Sequence, residues 1–232
     1  MSSISRFKAV IFDIGGTLIK PANVPEVFRK TLKEYGIERS LDEISAVHQE
    51  NQEFYFNTDA MVELGRKFWV EWNSRILERL GIQENREFLA KRIDELWWDY
   101  AELKLYADVK DTLKELKAMG VKTGIITNGF ETDFRQILLK TGLTNSFDVT
   151  VGVDTCRKAK PDKLIFLYAV NKLGIQPKEA IFVGDSIERD YNGAKKAGLR
   201  ALLIDRAGKA PANVEKIRSL REVLAYISRV QG

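Results

Sequence analysis

Four stretches of the sequence place reactive side chains at the ends of short apolar runs or beside a residue that bends the chain. The run AVIF leads to Asp13, with Gly15 and Gly16 just beyond it, and TGII leads to Thr127, followed by Asn128 and Gly129. The run AIFVG leads to Asp185, with Asp190 five residues on, and Lys160 stands before Pro161 in RKAKPD. A carboxylate is ionised at neutral pH and needs no base to act as a nucleophile. A hydroxyl followed by backbone N–H groups can hold an oxyanion, and a lysine supplies a compact positive charge. Two acids on one loop offer oxygen ligands for a hard cation. Taken singly, each residue also has a plain structural reading: an Asp after a strand often caps a helix or closes a turn, and Asp190 could cap the helix that follows it.

The remaining composition narrows the chemistry. One histidine, His48, and one cysteine, Cys156, are too few for a zinc site, so any metal must be held by oxygen. His48 lies in a helical stretch and reads as a packing or surface residue; Cys156 has no histidine nearby in sequence to activate it. A single cysteine also excludes an intramolecular disulfide, and a reducing, cytoplasmic setting is expected. A formal net charge of +4, with Lys and Arg scattered among acids, argues against a nucleic-acid partner. No stretch approaches the roughly 20 apolar residues of a membrane span, so no membrane partner is expected.

Positioning these residues requires strands. Apolar, β-branched runs at 9–12, 123–126, 149–153, 180–183 and 201–204 all end at small or acidic residues. Between the later runs lie helix-like segments, DVKDTLKELKAMG, DKLIFLYAVNKLG and RDYNGAKKAG, with closing glycines suited to a left-handed helix cap. Strand alternating with helix predicts an α/β fold, a mostly parallel sheet with helices on both faces. Ligands bind such sheets beyond the carboxyl ends of the strands, where these acids and threonines fall.

The interval from about Lys20 to Tyr106 differs. It has apolar residues at three-to-four spacing and no strand pattern, so a separate all-helical insertion is expected over residues 20–105, with the α/β core formed by 1–19 and 106–232. Its aromatic residues, Phe54, Tyr55, Phe56, Phe68, Trp69, Trp72, Trp97, Trp98 and Tyr100, are expected mostly in its own core. The segment RSLREVLAYISRV reads as an amphipathic closing helix. Asp154 and Asp205 also end strands, without a chemical role implied.

The order Asp13, Thr127, Lys160, Asp185–Asp190 resembles the haloacid dehalogenase-like hydrolase superfamily, whose pattern is D-x-D-G-T, a Ser or Thr, a Lys, and an acidic pair such as G-D-x-x-x-x-D. The resemblance spans nearly the whole chain and implies a Rossmann-like core with a helical cap inserted between the first two motifs. It implies that Asp13 attacks phosphorus and forms an aspartyl-phosphate. It also implies Mg2+ bound by Asp13, the Gly15 carbonyl and Asp185, with Asp190 as a ligand or an orienter of bound water. Thr127 and the Asn128 or Gly129 amides would hold phosphate oxygens, with Gly16 and Lys160 also in the substrate site. The implied substrate is a small phosphorylated metabolite, and the implied assembly a monomer or homodimer. Three aspartates sum to minus three, and one divalent cation with Lys160 balances them, which limits repulsion toward a phosphate dianion.

One position departs from the pattern. Where the family's phosphatases carry a second Asp that protonates the leaving group and activates water, this chain has Gly15. General acid–base groups contribute about 10²–10⁴-fold, so three readings arise. They are a phosphatase with another acid, such as Glu188, or with easily departing leaving groups; a 2-haloacid dehalogenase, since halide needs no proton; and a low-turnover binding or regulatory protein. Family dehalogenases generally lack an acid at the position of Asp185, which weighs toward the metal-dependent phosphatase.

Overall fold

The structure, a computed structural model, describes residues 7–55 and 57–228. The chain divides into two compact units, one formed by Met1–Pro21 with Lys104–Gly232 and the other by Ala22–Leu103.

The first unit is built on a six-stranded sheet: β1 (Ala9–Phe12), β2 (Lys122–Ile126), β3 (Val149–Val151), β4 (Ala180–Gly184), β5 (Arg200–Ile204) and β6 (Lys216–Ile217), in the order β3-β2-β1-β4-β5-β6. Every pairing is parallel. Strands covered on both faces read as continuous apolar runs, and Ala9, Val10, Ile11 and Phe12 have no exposed surface. β1 is central: Phe12 aligns with Ile125 on one side and Val183 on the other. The strand order therefore reverses at β1, and in open sheets of this kind ligands bind beyond the carboxyl ends of the strands at such a point.

The second unit contains α1 (Val24–Glu34), α2 (Leu41–Tyr55), α3 (Thr58–Leu64), α4 (Lys67–Arg79) and α5 (Arg86–Tyr100). Its buried centre is mainly aliphatic, with Val27, Phe28, Leu32, Ile44, Ile76, Leu77, Leu89 and Ile93 nearly or fully sequestered. The expected aromatic core is thus only partly realised. Phe68 and Trp72 are buried and stacked at 5.9 Å, whereas Phe54 is 74% exposed and Trp69, Trp97, Trp98 and Tyr100 are half-buried. Branched aliphatic side chains at helical spacing fill the interhelical space, leaving the larger rings at its margin. The Tyr55 side chain and Phe56 lie outside the described residues. His48 packs edge-on against Trp72 at 6.3 Å, and burial lowers its pKa, in keeping with a packing role.

The first unit continues with α6 (Val109–Ala118), α7 (Glu131–Thr141), α8 (Val153–Cys156), α9 (Lys163–Lys172), α10 (Gly193–Lys196) and α11 (Val223–Ser228). The run expected as a strand to Val153 stops at Val151, because Gly152 opens α8 and its N–H bonds the Thr155 hydroxyl at 2.9 Å. The segment expected as one helix at Arg189–Gly198 instead divides into a widened turn, Ile187–Asn192, and the short α10. The closing helix starts with a 3₁₀ turn at Leu220–Glu222, capped by Ser219, and its last expected residues, Arg229 and Val230, lie outside the described ones. Among the described residues no helix is long and apolar enough to cross a membrane.

Candidate active site

Asp13 extends β1 by one residue: its N–H donates to the Val183 carbonyl at 2.9 Å. The chain then folds back sharply, with the Ile14 carbonyl accepting from Leu18 and Ile19 N–H at 2.8 and 3.0 Å, and Gly16 N–H donating to Ile19 O at 2.8 Å. This turn leaves the Asp13 carboxylate at the strand end, 7% exposed, with the Thr17 hydroxyl 3.4 Å from its Oδ2.

Lys160 reaches the same point from the loop before α9. Its Nζ donates to Asp13 Oδ1 and to Asp190 Oδ1, both at 2.6 Å, and its side chain is 3% exposed. Its backbone is bracketed by one side chain: Asn128 Oδ1 accepts from Lys160 N at 2.7 Å, and Asn128 Nδ2 donates to Lys160 O at 2.9 Å. Asn128 therefore spends its amide side chain on holding the lysine, a task that motif spacing does not reveal.

Asp190 arrives by a local distortion. Ser186 O accepts from both Asp190 N and Tyr191 N, at 3.1 and 3.0 Å, so the turn over Ile187–Asn192 is widened and Asp190 swings inward. Its second oxygen accepts from Ser186 N at 3.0 Å. A Cβ on Gly184 would sit 2.4 Å from the Asp190 carboxyl carbon, so the close approach needs glycine there. One carboxylate oxygen from each of Asp13, Asp185 and Asp190 lies within 4.8 Å of the others, a set able to hold a hard cation. Gly16, at φ +73°, completes this cradle: its absent Cβ would lie 2.1 Å from Asp185 Oδ2.

Charge crowding shows in the ionisation equilibria. Burial raises the Asp13 pKa to about 6, with Lys160 pulling it down and Asp190 and Asp185 pushing it up. Burial lowers that of Lys160, yet Asp13 and Asp190 outweigh it and the net direction is upward. Partial desolvation and the Asp190 charge raise Asp185.

Thr127 directly follows β2, with its N–H on Val151 O at 2.9 Å and its hydroxyl accepting from Gly129 N at 3.1 Å. The register of β1 with β2 puts Thr127 one residue beyond the level of Asp13. Gly15 pairs with Ile19, and a Cβ placed on it would meet nothing within 4 Å. Glu188 is exposed on the widened turn. Asp154, within α8 rather than at a strand end, accepts from Glu131 N–H and so caps α7, and Asp205 accepts from Lys209 and Ala210 N–H, so both have structural roles. Burial pushes the Cys156 thiol pKa up, away from reactivity.

The family model for haloacid dehalogenase-like hydrolases matches residues 7–198 of this chain. The chain belongs to that family. Among relatives of this hydrolase, the glyceraldehyde 3-phosphate phosphatase of Methanopyrus kandleri is 31% identical over 205 residues, covering 86% of this chain and 84% of that protein. The (S)-2-haloacid dehalogenase 1 of a Pseudomonas species is 29% identical over 205 residues, covering 87% of this chain and 86% of that protein. A crystal structure of a phosphatase of the family from Thermococcus onnurineus, 31% identical, superposes with a TM-score of 0.66 over 96% of this chain and 98% of that one.

Proposed function

We propose that this hydrolase is a magnesium-dependent phosphomonoesterase for small phosphorylated metabolites, working through an aspartyl-phosphate on Asp13. The observation that carries this reading is the acidic cradle: Asp185 stands with Asp13 and Asp190 around one point, and Lys160 lies between two of them. Bound Mg2+, held by Asp13, Asp185, Asp190 and the Gly15 carbonyl, would supply positive charge against the nucleophile and the phosphoryl oxygens.

The residues divide the work. Asp13 forms an O–P bond as the ester P–O bond breaks and the leaving oxygen departs. Water then attacks phosphorus, the Asp13–phosphorus bond breaks, and orthophosphate leaves with the carboxylate restored. Lys160, fixed by Asn128, holds one Asp13 oxygen and offsets charge between it and phosphate. Thr127 and the Asn128 backbone amide hold phosphoryl oxygens, while the Gly129 N–H is engaged by the Thr127 hydroxyl. No side chain at position 15 protonates the leaving oxygen, so the rate depends steeply on leaving-group acidity.

The test is orthophosphate release from esters spanning leaving-group acidity, with Mg2+ and with chelator. Release is expected only with Mg2+, fastest for nitrophenyl phosphate and slowest for alkyl phosphates. The dehalogenase relative and the missing second acid favour one rival reading; halide release from 2-haloacids, with no orthophosphate from any ester, would establish that rival.

A second expectation concerns the cradle. Gly16→Ala puts a methyl against Asp185 and imposes a left-handed conformation that costs about 1–2 kcal/mol. The exposed Asp185 side chain turns away, and Mg2+ affinity falls by about tenfold or more, as outer elements of a metal site do when disturbed. Calorimetric titration with Mg2+ measures this; unchanged affinity would remove Asp185 from the site.

A further inference from the structure

We propose that Arg206, just past β5, is a positioning residue for the Asp13 loop. Its Nη2 donates to the Thr17 carbonyl at 2.8 Å, and its two terminal nitrogens form a fork on Asp108, at 3.0 and 3.1 Å. Its guanidinium lies 3.6 Å from the centre of the Tyr106 ring, and Tyr106 N–H donates to the Leu18 carbonyl at 3.0 Å. Two successive carbonyls of the loop are thus held by one cluster.

The rigidity of the peptide unit makes this consequential. Thr17 C=O and Leu18 N–H belong to a single plane. Arg206 fixes the oxygen end, and the Ile14 carbonyl, one residue from Asp13, fixes the N–H end at 2.8 Å. Thr17 itself is fully buried and directs its hydroxyl at Asp13 Oδ2. Asp108 is held in turn by Ser219 Oγ and Leu220 N–H, each at 2.9 Å, so the support runs from the C-terminal segment through Arg206 to the turn behind the nucleophile. Arg206 Nε is buried without a hydrogen-bond partner. An unmet buried donor opposes stability, so the guanidinium is oriented by the Thr17, Asp108 and Tyr106 contacts at the expense of its third nitrogen. A lysine, with one ammonium, cannot form the fork, the stack and the carbonyl bond together.

The kinetic part of the test rests on the phosphatase reading; the exchange part does not. Full-length Arg206→Lys and Asp108→Asn are compared with wild type for kcat and KM on an activated phosphate ester, with active sites counted by the phosphoenzyme burst. Amide hydrogen exchange is followed in parallel over residues 13–20. In Arg206→Lys, kcat per counted site is expected to fall about 10–100-fold with KM within about twofold, because small misplacement of a nucleophile is that costly. Exchange at Leu18 and Ile19 accelerates while β4 keeps its protection, and Asp108→Asn, which retains the arginine, shows a smaller change in both. A lowered melting temperature with wild-type kcat per site and wild-type loop exchange would overturn the proposal, reducing Arg206 to a stabilising ion pair. If wild type cleaves no ester, the phosphatase reading fails, and loop exchange alone decides for or against Arg206.

Discussion

Asp13→Asn is expected to remove orthophosphate release and the phosphoenzyme together, lowering kcat by about 10⁴-fold or more, as loss of a covalent nucleophile does. The substitution keeps the shape of the side chain, and its amide oxygen still accepts from Lys160 Nζ, so the fold survives. An amide cannot form the O–P bond. Intact-mass measurement after mixing with an activated phosphate should show an added phosphoryl group on wild type and none on the variant; phosphate release at wild-type rates by Asp13→Asn would move the nucleophile elsewhere.

The same variant reports on the crowded charge. Asp13 is raised in the folded protein from 3.8 to about 6, mainly by burial. A group whose folded pKa lies above its unfolded value stabilises the fold fully below the unfolded pKa and loses that contribution as pH rises through the folded one. In chelator, wild type should therefore lose stability between about pH 4 and pH 6 relative to Asp13→Asn, and the gap should level off above that range. Denaturant unfolding across pH measures it, and a constant gap would mean that Asp13 titrates normally.

Gly15→Asp carries the second large effect, in the opposite direction. A Cβ at position 15 meets nothing within 4 Å, and no left-handed backbone is required there, so the backbone accepts a side chain at this point. It would supply the proton for a poor leaving group and the base for water in the second step. Alkyl phosphate hydrolysis is expected to rise by about 10²–10⁴-fold, nitrophenyl phosphate hydrolysis much less, and the phosphoenzyme to become shorter-lived. Equal gains for both ester classes would show that leaving-group protonation is not what Gly15 withholds.

Much of this was legible in the sequence. The apolar runs ending at Asp13, Thr127 and Asp185 are strands of one parallel sheet, because burial on both faces demands continuous apolar residues, a local signal. The helical insertion was legible for a similar reason, since three-to-four spacing marks the helix face that must be covered. Less legible were features whose cause is distant in sequence. The short β6 has only Lys216 and Ile217, too few residues for any periodicity. Of the aromatic residues expected to form the core of the insertion, Phe68 and Trp72 do so, while aliphatic side chains fill most of that space and Phe54 faces solvent.

The sequence alone determined the kinds of chemical group available: an oxygen-only ligand set, one lysine in the right order, and no acid at position 15. Tertiary structure decided how those groups are held. Asn128 grips the backbone of Lys160 across 32 residues, and Arg206 grips Thr17 across 189. Gly16 leaves room for the carboxylate of Asp185, which comes from a loop distant in sequence. Strand and helix patterns arise from neighbours along the chain and repeat with a period; a hydrogen bond between distant loops has no period, and exists only once the sheet has set the strand ends side by side.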